Sequence, residues 1–568
     1  SRQTGRDAFR MQPLKSHLFD PARTRRLDKV VFPNHLLQRV IQLMSLSRPA
    51  KGKKRRGRIS YAQLGINQLG AVYESLLSYS GFFAKADLYE VKPKGENWDP
   101  LGIGFFVGAA ALEEYDEEEK VFVRDEATGY QKLLKHPKGS FIYRLAGRDR
   151  QKSASYYTPE VLTRSLVKYA LKEVWKEQLD PLPDDRARAE RVLHLTVCEP
   201  AMGSAAFLNE AISQIADKYL ELAQSAGGER IPQADYAAEK QKVKMYLADN
   251  NVFGVDLNPV AVELAEVSLW LNALSSDRFV PWLGLQLYHG NSLIGARREV
   301  FTRGQLTHTG EGSWLKSAPE RLPMGEQRQE QPIWHFLLPD RAMAHYNDKE
   351  VKKLYPEQIK RINGWRKRFT KPFSEEEIER LERLSERIAE LWDEHADSLA
   401  RLRRRTTDPY AIFGREARGE RTPLAWKDTA LDQELFAKKL ENASAYRRLK
   451  LAMDYWCALW FWPIGDADEL PDRDEWLMDL ENLLLGDTVA TERPGQNMQL
   501  FAETNPEEGK RFVNKYGVVN FKTLFAAFPR LKKADAIAEQ RRFFHWELAF
   551  ADIFKPGSPL PLGEGSGV

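Results

Sequence analysis

VCEPAMGSAAFLNEA, residues 197–211, sets an acid, a proline, a glycine and several very small side chains between two differently patterned segments. The run leading into it, Val192-Leu193-His194-Leu195-Thr196-Val197, is short, apolar and partly β-branched, and reads as a buried strand. Behind it, Ala206 to Leu222 carries apolar residues at helical intervals. The quoted stretch is therefore expected to be a strand-to-helix loop. Small residues there let a ligand approach the backbone, and the helix end beyond offers N–H groups with no intrahelical partner.

Outward from this loop, residues 151 to 295 alternate helical and strand patterns, as in a parallel sheet flanked by helices. YYTPEVLTRSLVKYALKEVW (156–175) reads as a helix with Pro159 in its first turn, where a missing N–H costs nothing. A helical stretch around Ala234 to Leu247 precedes NVFGVD (251–256), a strand ending at Asp256. LNPVAVELAEVSLWLNAL (257–274) follows, with Asn258 as N-cap and Pro259 at the first helical position. GLQLYHGNSLIG (284–295) supplies another strand, ending near Gly290. The expected fold class is α/β, a doubly wound series of βα units.

The flanks read differently. Residues 1–150 are expected to form an α+β accessory domain: a helix or helix pair in YAQLGINQLGAVYESLLSYSGFF (61–83), then strands in ADLYEVKP, GIGFFVGAAAL, KVFVRD and SFIYRLAG. Six Lys/Arg between Lys51 and Arg58 fit either an exposed linker or a phosphate contact. Residues 296–540 turn rich in Arg, Glu and Trp and read as a helical insertion. Within it, residues 374–405 place Ile378, Leu381, Leu384, Ile388 and Leu391 on one face behind a Ser374/Glu377 capping box. The Arg401–Arg405 run at the end of this stretch fits a solvated helix terminus better than a nucleic-acid contact. Residues 541–568 close with RFFHWELAFADIF, whose alternation of Phe544, Trp546, Leu548 and Phe550 predicts a strand returning to the sheet, followed by a Pro/Gly-rich loop.

With 568 residues the chain exceeds one core, so two to four domains are expected. No apolar run reaches the roughly 18 residues of a membrane span, and no membrane partner is expected. Two cysteines, Cys198 and Cys457, give neither a disulfide framework nor metal-ligand spacing, which fits a reducing cytoplasm. The loop lacks the GxxxxGK[ST] of a phosphate cradle and the GxGxxG of a dinucleotide fold, and Asp256 lies 57 residues past Glu199 rather than about 20. A nucleoside carrying a cation suits it better: Asp256 at a strand end can accept both ribose hydroxyls, and Glu199 can face a positive charge.

YYTP (156–159), EPAMGSAAF (199–207), GVDLNPVAVELAEVSLWL (254–271) and HGNSLIG (289–295) resemble, in order, motifs X, I, II and III of adenine-N6 DNA methyltransferases. The chain looks like the large bacterial enzymes related to type IIG restriction-modification proteins and to the phage-defence methyltransferases of BREX (PglX) and DISARM systems. The resemblance implies a Rossmann-like class I core at 151–295 that binds S-adenosylmethionine. Tyr157, Thr158 and Pro159 would lie beside the methionine moiety, with Glu199, Pro200, Ala201 and Gly203 forming the loop beneath it. Asp256 would bind the ribose, Leu257 would pack on adenine and Asn291 would reach the adenine edge. Taken singly, Tyr157 also fits a core position, Pro159 a helix start and Asn291 a turn.

Two departures stand out. The family pattern D-P-A-x-G-S-G-x-F has Glu199 in place of Asp and Ala205 in place of the last glycine, which Ala205 can replace comfortably only at a negative φ. The catalytic tetrad [DNS]-P-P-[YFW] is absent; DLNPV and TNPEE contain only Asn-Pro. No catalytic residue is therefore assigned, and the tetrad and target-recognition region are expected beyond Val568, on the same or a second chain. No P-D-x[D/E]xK nuclease signature stands out in the N-terminal region. The expected function is adenine-N6 methylation of double-stranded DNA in a restriction-modification or phage-defence system, without a metal and with defence-system proteins as further partners. The alternatives are a non-catalytic cofactor- or DNA-binding subunit and methylation of RNA or protein.

Overall fold

The computed structural model describes residues 31–47, 56–59, 79–124, 129–145, 158–274, 280–326, 330–417, 420–432, 442–485 and 519–555. The N-terminal part holds α1 (Asn34–Ser45) and seven strands: β1 (Tyr79–Phe83), β2 (Leu88–Val91), β3 (Phe105–Val107), β4 (Phe122–Arg124), β5 (Gln131–Leu133), β6 (Lys135–His136) and β7 (Phe141–Leu145). They form antiparallel sheets of order β1–β7, β3–β2–β6 and β4–β5. Glu90 ties them: its buried carboxylate accepts from Arg144 Nη2 (2.7 Å) and Trp98 Nε1 (3.1 Å) and lies 3.1 Å from His136 Nε2. All four stretches read as strands are strands. Most of the helix expected over 61–83 and of the basic run lies outside the described residues, and Tyr79–Phe83 at its end is β1 instead.

The central part runs α2 (Glu160–Gln178), α3 (Asp185–Leu193), β8 (Val197–Glu199), α4 (Ala206–Gly227), α5 (Gln233–Asn250), β9 (Val252–Asp256), α6 (Pro259–Ala273) and β10 (Leu287–His289). The three strands are parallel, in the order β10–β9–β8. The chain is thus mixed α/β, built on small sheets. The run Val192–Thr196 is not strand, because α3 continues through Leu193 and Asn251 Nδ2 donates to the carbonyls of Leu193 and Leu195, both at 2.7 Å. Val192, Leu193 and Leu195 are buried as read, the first two as the end of a helix. Val192, Leu193, Leu208, Ile212, Leu247 and Leu269 share one core, where burial of each side chain contributes roughly 1.5–3 kcal/mol.

Residues 296–540 contain β11 (Glu299–Phe301), β12 (Glu320–Arg321) and β13 (Ile333–Trp334), an antiparallel sheet absent from the sequence reading. The helices are α7 (Lys349–Leu354), α8 (Pro356–Phe369), α9 (Glu375–Thr406), α10 (Leu424–Leu431), α11 (Ala445–Ala458), α12 (Arg473–Leu484), α13 (Phe521–Ala527) and α14 (Pro529–Arg541). The Ser374/Glu377 capping box starts α9, and its five named apolar residues are all buried. Among the described residues, no helix is long and apolar enough to cross a membrane.

The Arg401–Arg405 run is exposed at Arg401, Arg404 and Arg405, as expected of a solvated helix terminus, but Arg403 departs from it: it is buried, donates through Nε to Asp552, and stands 5.3 Å over the Phe253 ring. It joins the insertion to the last helix among the described residues and to β9. The segment after Arg542 does return to the sheet, but as two helical turns, α15 (Trp546–Ala549) and α16 (Ala551–Phe554), rather than a strand. Its apolar residues stand four apart as well as two apart, so Phe544/Leu548 and Trp546/Phe550 also satisfy a helical face. Phe544 and Phe550 pack with Phe253 and Val255 of β9, while a single bridge joins Phe543 to Asn291.

That docking explains two glycines of HGNSLIG. A Cβ at Gly290 would lie 2.8 Å from the Phe544 ring, and one at Gly295 would lie 2.0 Å from the Phe544 carbonyl oxygen. Gly295→Ala should destabilise the chain by at least ~2 kcal/mol in chemical denaturation, because backbone must move. Gly304→Ala, whose Cβ meets nothing within 4 Å, should stay within about 0.5 kcal/mol of the wild type.

Candidate functional site

Strands β8, β9 and β10 stop at Glu199, Asp256 and His289, with Glu199 level with Gly254 and His289 level with Asp256. Three side chains with titratable groups therefore share the carboxyl edge of one parallel sheet, the edge where open α/β sheets take their ligands. The small-residue loop and the start of α4 follow Glu199; the Asn258 cap and the start of α6 follow Asp256.

Asp256 holds the two turns together. Its Oδ2 accepts from the Gly203 N–H and its Oδ1 from the Asn258 N–H, both at 2.8 Å. Asn258 in turn accepts from Val260 N at 3.0 Å, with Pro259 at the first helical position as the sequence implied. Met202 N donates to Val255 O at 3.1 Å, and the Met202 side chain lies over Gly254, where a Cβ would stand 2.4 Å from the sulfur. Gly254 is therefore needed for the loop to close on β9.

The loop departs from the expected backbone at Ala205, which sits at φ 62° and ψ 37°, in the left-handed region, while Gly203 has φ 52°. The condition that would have made alanine comfortable there does not hold. The chain keeps a glycine-type conformation with a methyl group on it, at a cost of roughly 1–2 kcal/mol. At Gly203 a Cβ would meet nothing within 4 Å, so φ, not crowding, is the reason for glycine there, and the backbone faces open space.

Glu199 is half-buried and its Oε2 is out of solvent contact with no hydrogen-bond partner. Burial pushes its pKa up to about 8; a hydrogen bond from the Leu208 N–H in the first turn of α4 works against this, and the Asp256 charge adds to it. At neutral pH the carboxyl is largely protonated, and a cation placed beside it would favour the carboxylate.

The remaining assigned residues fall unevenly. Pro200 and Ala201 are exposed in the loop, and Leu257 is exposed at the end of β9. Gly290 N donates to Asp256 O at 2.9 Å, which brings the Asn291 loop beside them. Asn291 Oδ1, however, accepts from Leu293 N at 3.1 Å, so its carboxamide serves a turn. Thr158 and Pro159 stand at the start of α2, which packs on α4. Tyr157 lies outside the described residues. His289, at the end of β10, is a further residue of this edge: its Nε2 lies 3.0 Å from Leu257 O, and burial, followed by the Arg542 charge, holds its pKa below the usual range. Its strand-end place, matching Glu199 and Asp256, was the available signal.

Among the described residues no group of three His, Cys, Asp or Glu is placed to hold a metal ion. In comparisons with protein-family models, curated proteins and solved structures, nothing matches this chain.

The Glu199 environment gives a pH test. Its folded pKa of about 8 exceeds the ordinary 4.5, so between those values the folded state holds a proton that the unfolded state lacks. Stability contributed by this group therefore falls as pH rises across that window. In thermal melts, Glu199→Gln should gain stability over wild type at about pH 8.5 relative to about pH 5.5.

Proposed function

We propose that the strand-end ledge of Glu199, Gly203 and Asp256 binds S-adenosylmethionine within a Rossmann-like class I core, and that the protein belongs to an adenine-N6 DNA-methylating system. The observation that carries this reading is the pairing of two unlike carboxyls beside an open glycine: Asp256 held by two backbone N–H groups, Glu199 with an orphaned oxygen. Each Asp256 oxygen keeps a second lone pair, which suits adjacent ribose hydroxyls. Glu199 suits the positive end of the ligand, whose charge would compensate the carboxylate that burial disfavours. The exposed Leu257 offers an apolar surface to the adenine ring, and open space at Gly203 lets the ligand reach backbone.

When bound, S-adenosylmethionine supplies a methyl group on a sulfonium sulfur. The chain's own groups bind and orient: Asp256 the sugar, Glu199 the cationic end, and the first turn of α4 its unpaired N–H groups. The base-side chemistry is assigned to no residue here, because the [DNS]-P-P-[YFW] tetrad does not occur in the sequence. The same observation favours a second reading, a cofactor- or DNA-binding subunit that acts only with a partner. Transfer of methyl from S-adenosylmethionine to duplex DNA by this chain alone would exclude that reading.

Asp256→Ala should weaken S-adenosylmethionine binding by at least ~10-fold in equilibrium titration, since hydrogen bonds to a charged group are lost. Asp217→Ala, which removes a carboxylate of α4 paired with Lys240, should leave it unchanged. Unchanged affinity in a folded Asp256→Ala variant would reject the site.

A further inference from the structure

A strong charge asymmetry lies away from the strand ends, on the insertion. Residues 349–371 carry nine Lys/Arg against two Glu, an excess larger than the net +4 of the whole chain. They form α7, α8 and the residues just beyond. Two of the cations are used locally: Lys353 by Glu350 and Arg361 by Asp468. Lys349, Lys352, Lys360, Lys367, Arg368 and Lys371 are exposed and have no carboxylate partner among the described residues. Lys360 and Lys367, seven residues apart, share one face of α8, a helix roughly 20 Å long at 1.5 Å per residue.

A cavity of about 130 Å³ opens at the foot of this surface, lined in part by His345, Tyr346, Lys352, Asn363 and Arg366. The Arg366 guanidinium is fixed there, donating through Nε to Met343 O (3.0 Å) and through Nη2 to Ala344 O (2.9 Å). Its charge is thus positioned in advance on the cavity wall. From the cavity the contacts lead to the strand ends: Tyr346 donates to Trp462 O; Phe461 lies tilted against Phe543, centroids 5.5 Å apart, under Arg541; and Arg542 O accepts from Asn291 N at 2.6 Å.

We propose that the α7–α8 corner is a phosphodiester-binding surface, on which a nucleic-acid duplex lies as it passes from the insertion toward the strand ends. Free cations spaced along a helix face suit a regular track of phosphates, and this kind of contact positions the duplex without reading sequence. The identity of the duplex as DNA rests on the methyltransferase reading; the location of the surface does not.

The test is fluorescence anisotropy of the full chain with a labelled duplex DNA of arbitrary sequence across a salt series. The triple variant Lys352→Ala/Lys360→Ala/Lys367→Ala should lose at least ~10-fold in affinity, with a log K against log salt slope smaller by about 2–3. The charge-matched triple Lys85→Ala/Lys132→Ala/Lys138→Ala, which removes exposed lysines of the N-terminal part, should keep both within about 2-fold of wild type. Equal losses in the two triples, no loss in the first, no duplex binding by wild type, or tighter binding to single-stranded RNA or anionic vesicles would each overturn the proposal. Affinity for S-adenosylmethionine, measured on the same variants, should not change. Loss of cofactor binding in wild type with duplex binding intact would sink the methyltransferase reading and leave this surface standing.

Discussion

The carboxylate of Asp256 is the constraint on which the strand-end geometry depends. One oxygen holds the Gly203 N–H and the other the Asn258 N–H, so a single side chain fixes the turn after β8 and the turn after β9. Charge-assisted bonds of this kind are stronger than neutral ones. They also account for the tolerated strain next door, since Ala205 stays left-handed only where its neighbours over-determine the backbone. The loop's small residues are thus as much a requirement of closure on β9 as an opening for a ligand.

Around that staple the charges are arranged unequally. Asp256 is compensated by backbone donors, whereas Glu199, one strand over, is desolvated with one oxygen unmatched. Burial thereby holds the Glu199 carboxyl well above the usual carboxylate range. A ligand with a sugar at one end and a positive charge at the other satisfies both carboxyls; a phosphate would meet the negative charge of Asp256. Beyond the sheet, Arg403 with Asp552, and Phe544 and Phe550 on β9, lock the insertion and the end of the described chain against the same edge.

Much of this was legible where local chemistry decides the element. The Asn258/Pro259 start of α6 and the Ser374/Glu377 start of α9 follow from capping groups that act within one turn. The failures occurred where distant partners decide. Val192 and Leu193 read as strand because burial looks alike in a short strand and a helix end, and it is Asn251, far along the chain, that takes the carbonyls at 193 and 195. The 544–550 alternation fits two periods at once, and the approach of Phe544 to Gly290 and Gly295 selects the turn-like one. At the site, Glu199, Gly203 and Asp256 could be picked out by place and type. The positive φ of Ala205 could not, since it depends on how the loop closes on β9, whereas the turn at Asn291 and the strand-end place of His289 are local enough to be legible.

The most direct measurement is calorimetric titration of the full chain with S-adenosylmethionine at about pH 7, in two buffers of different ionisation heat. The account predicts saturable binding accompanied by release of close to one proton, as the ligand's positive charge converts the Glu199 carboxyl to carboxylate, with that release lost in Glu199→Gln. An absence of binding, or binding with no proton released, would contradict it.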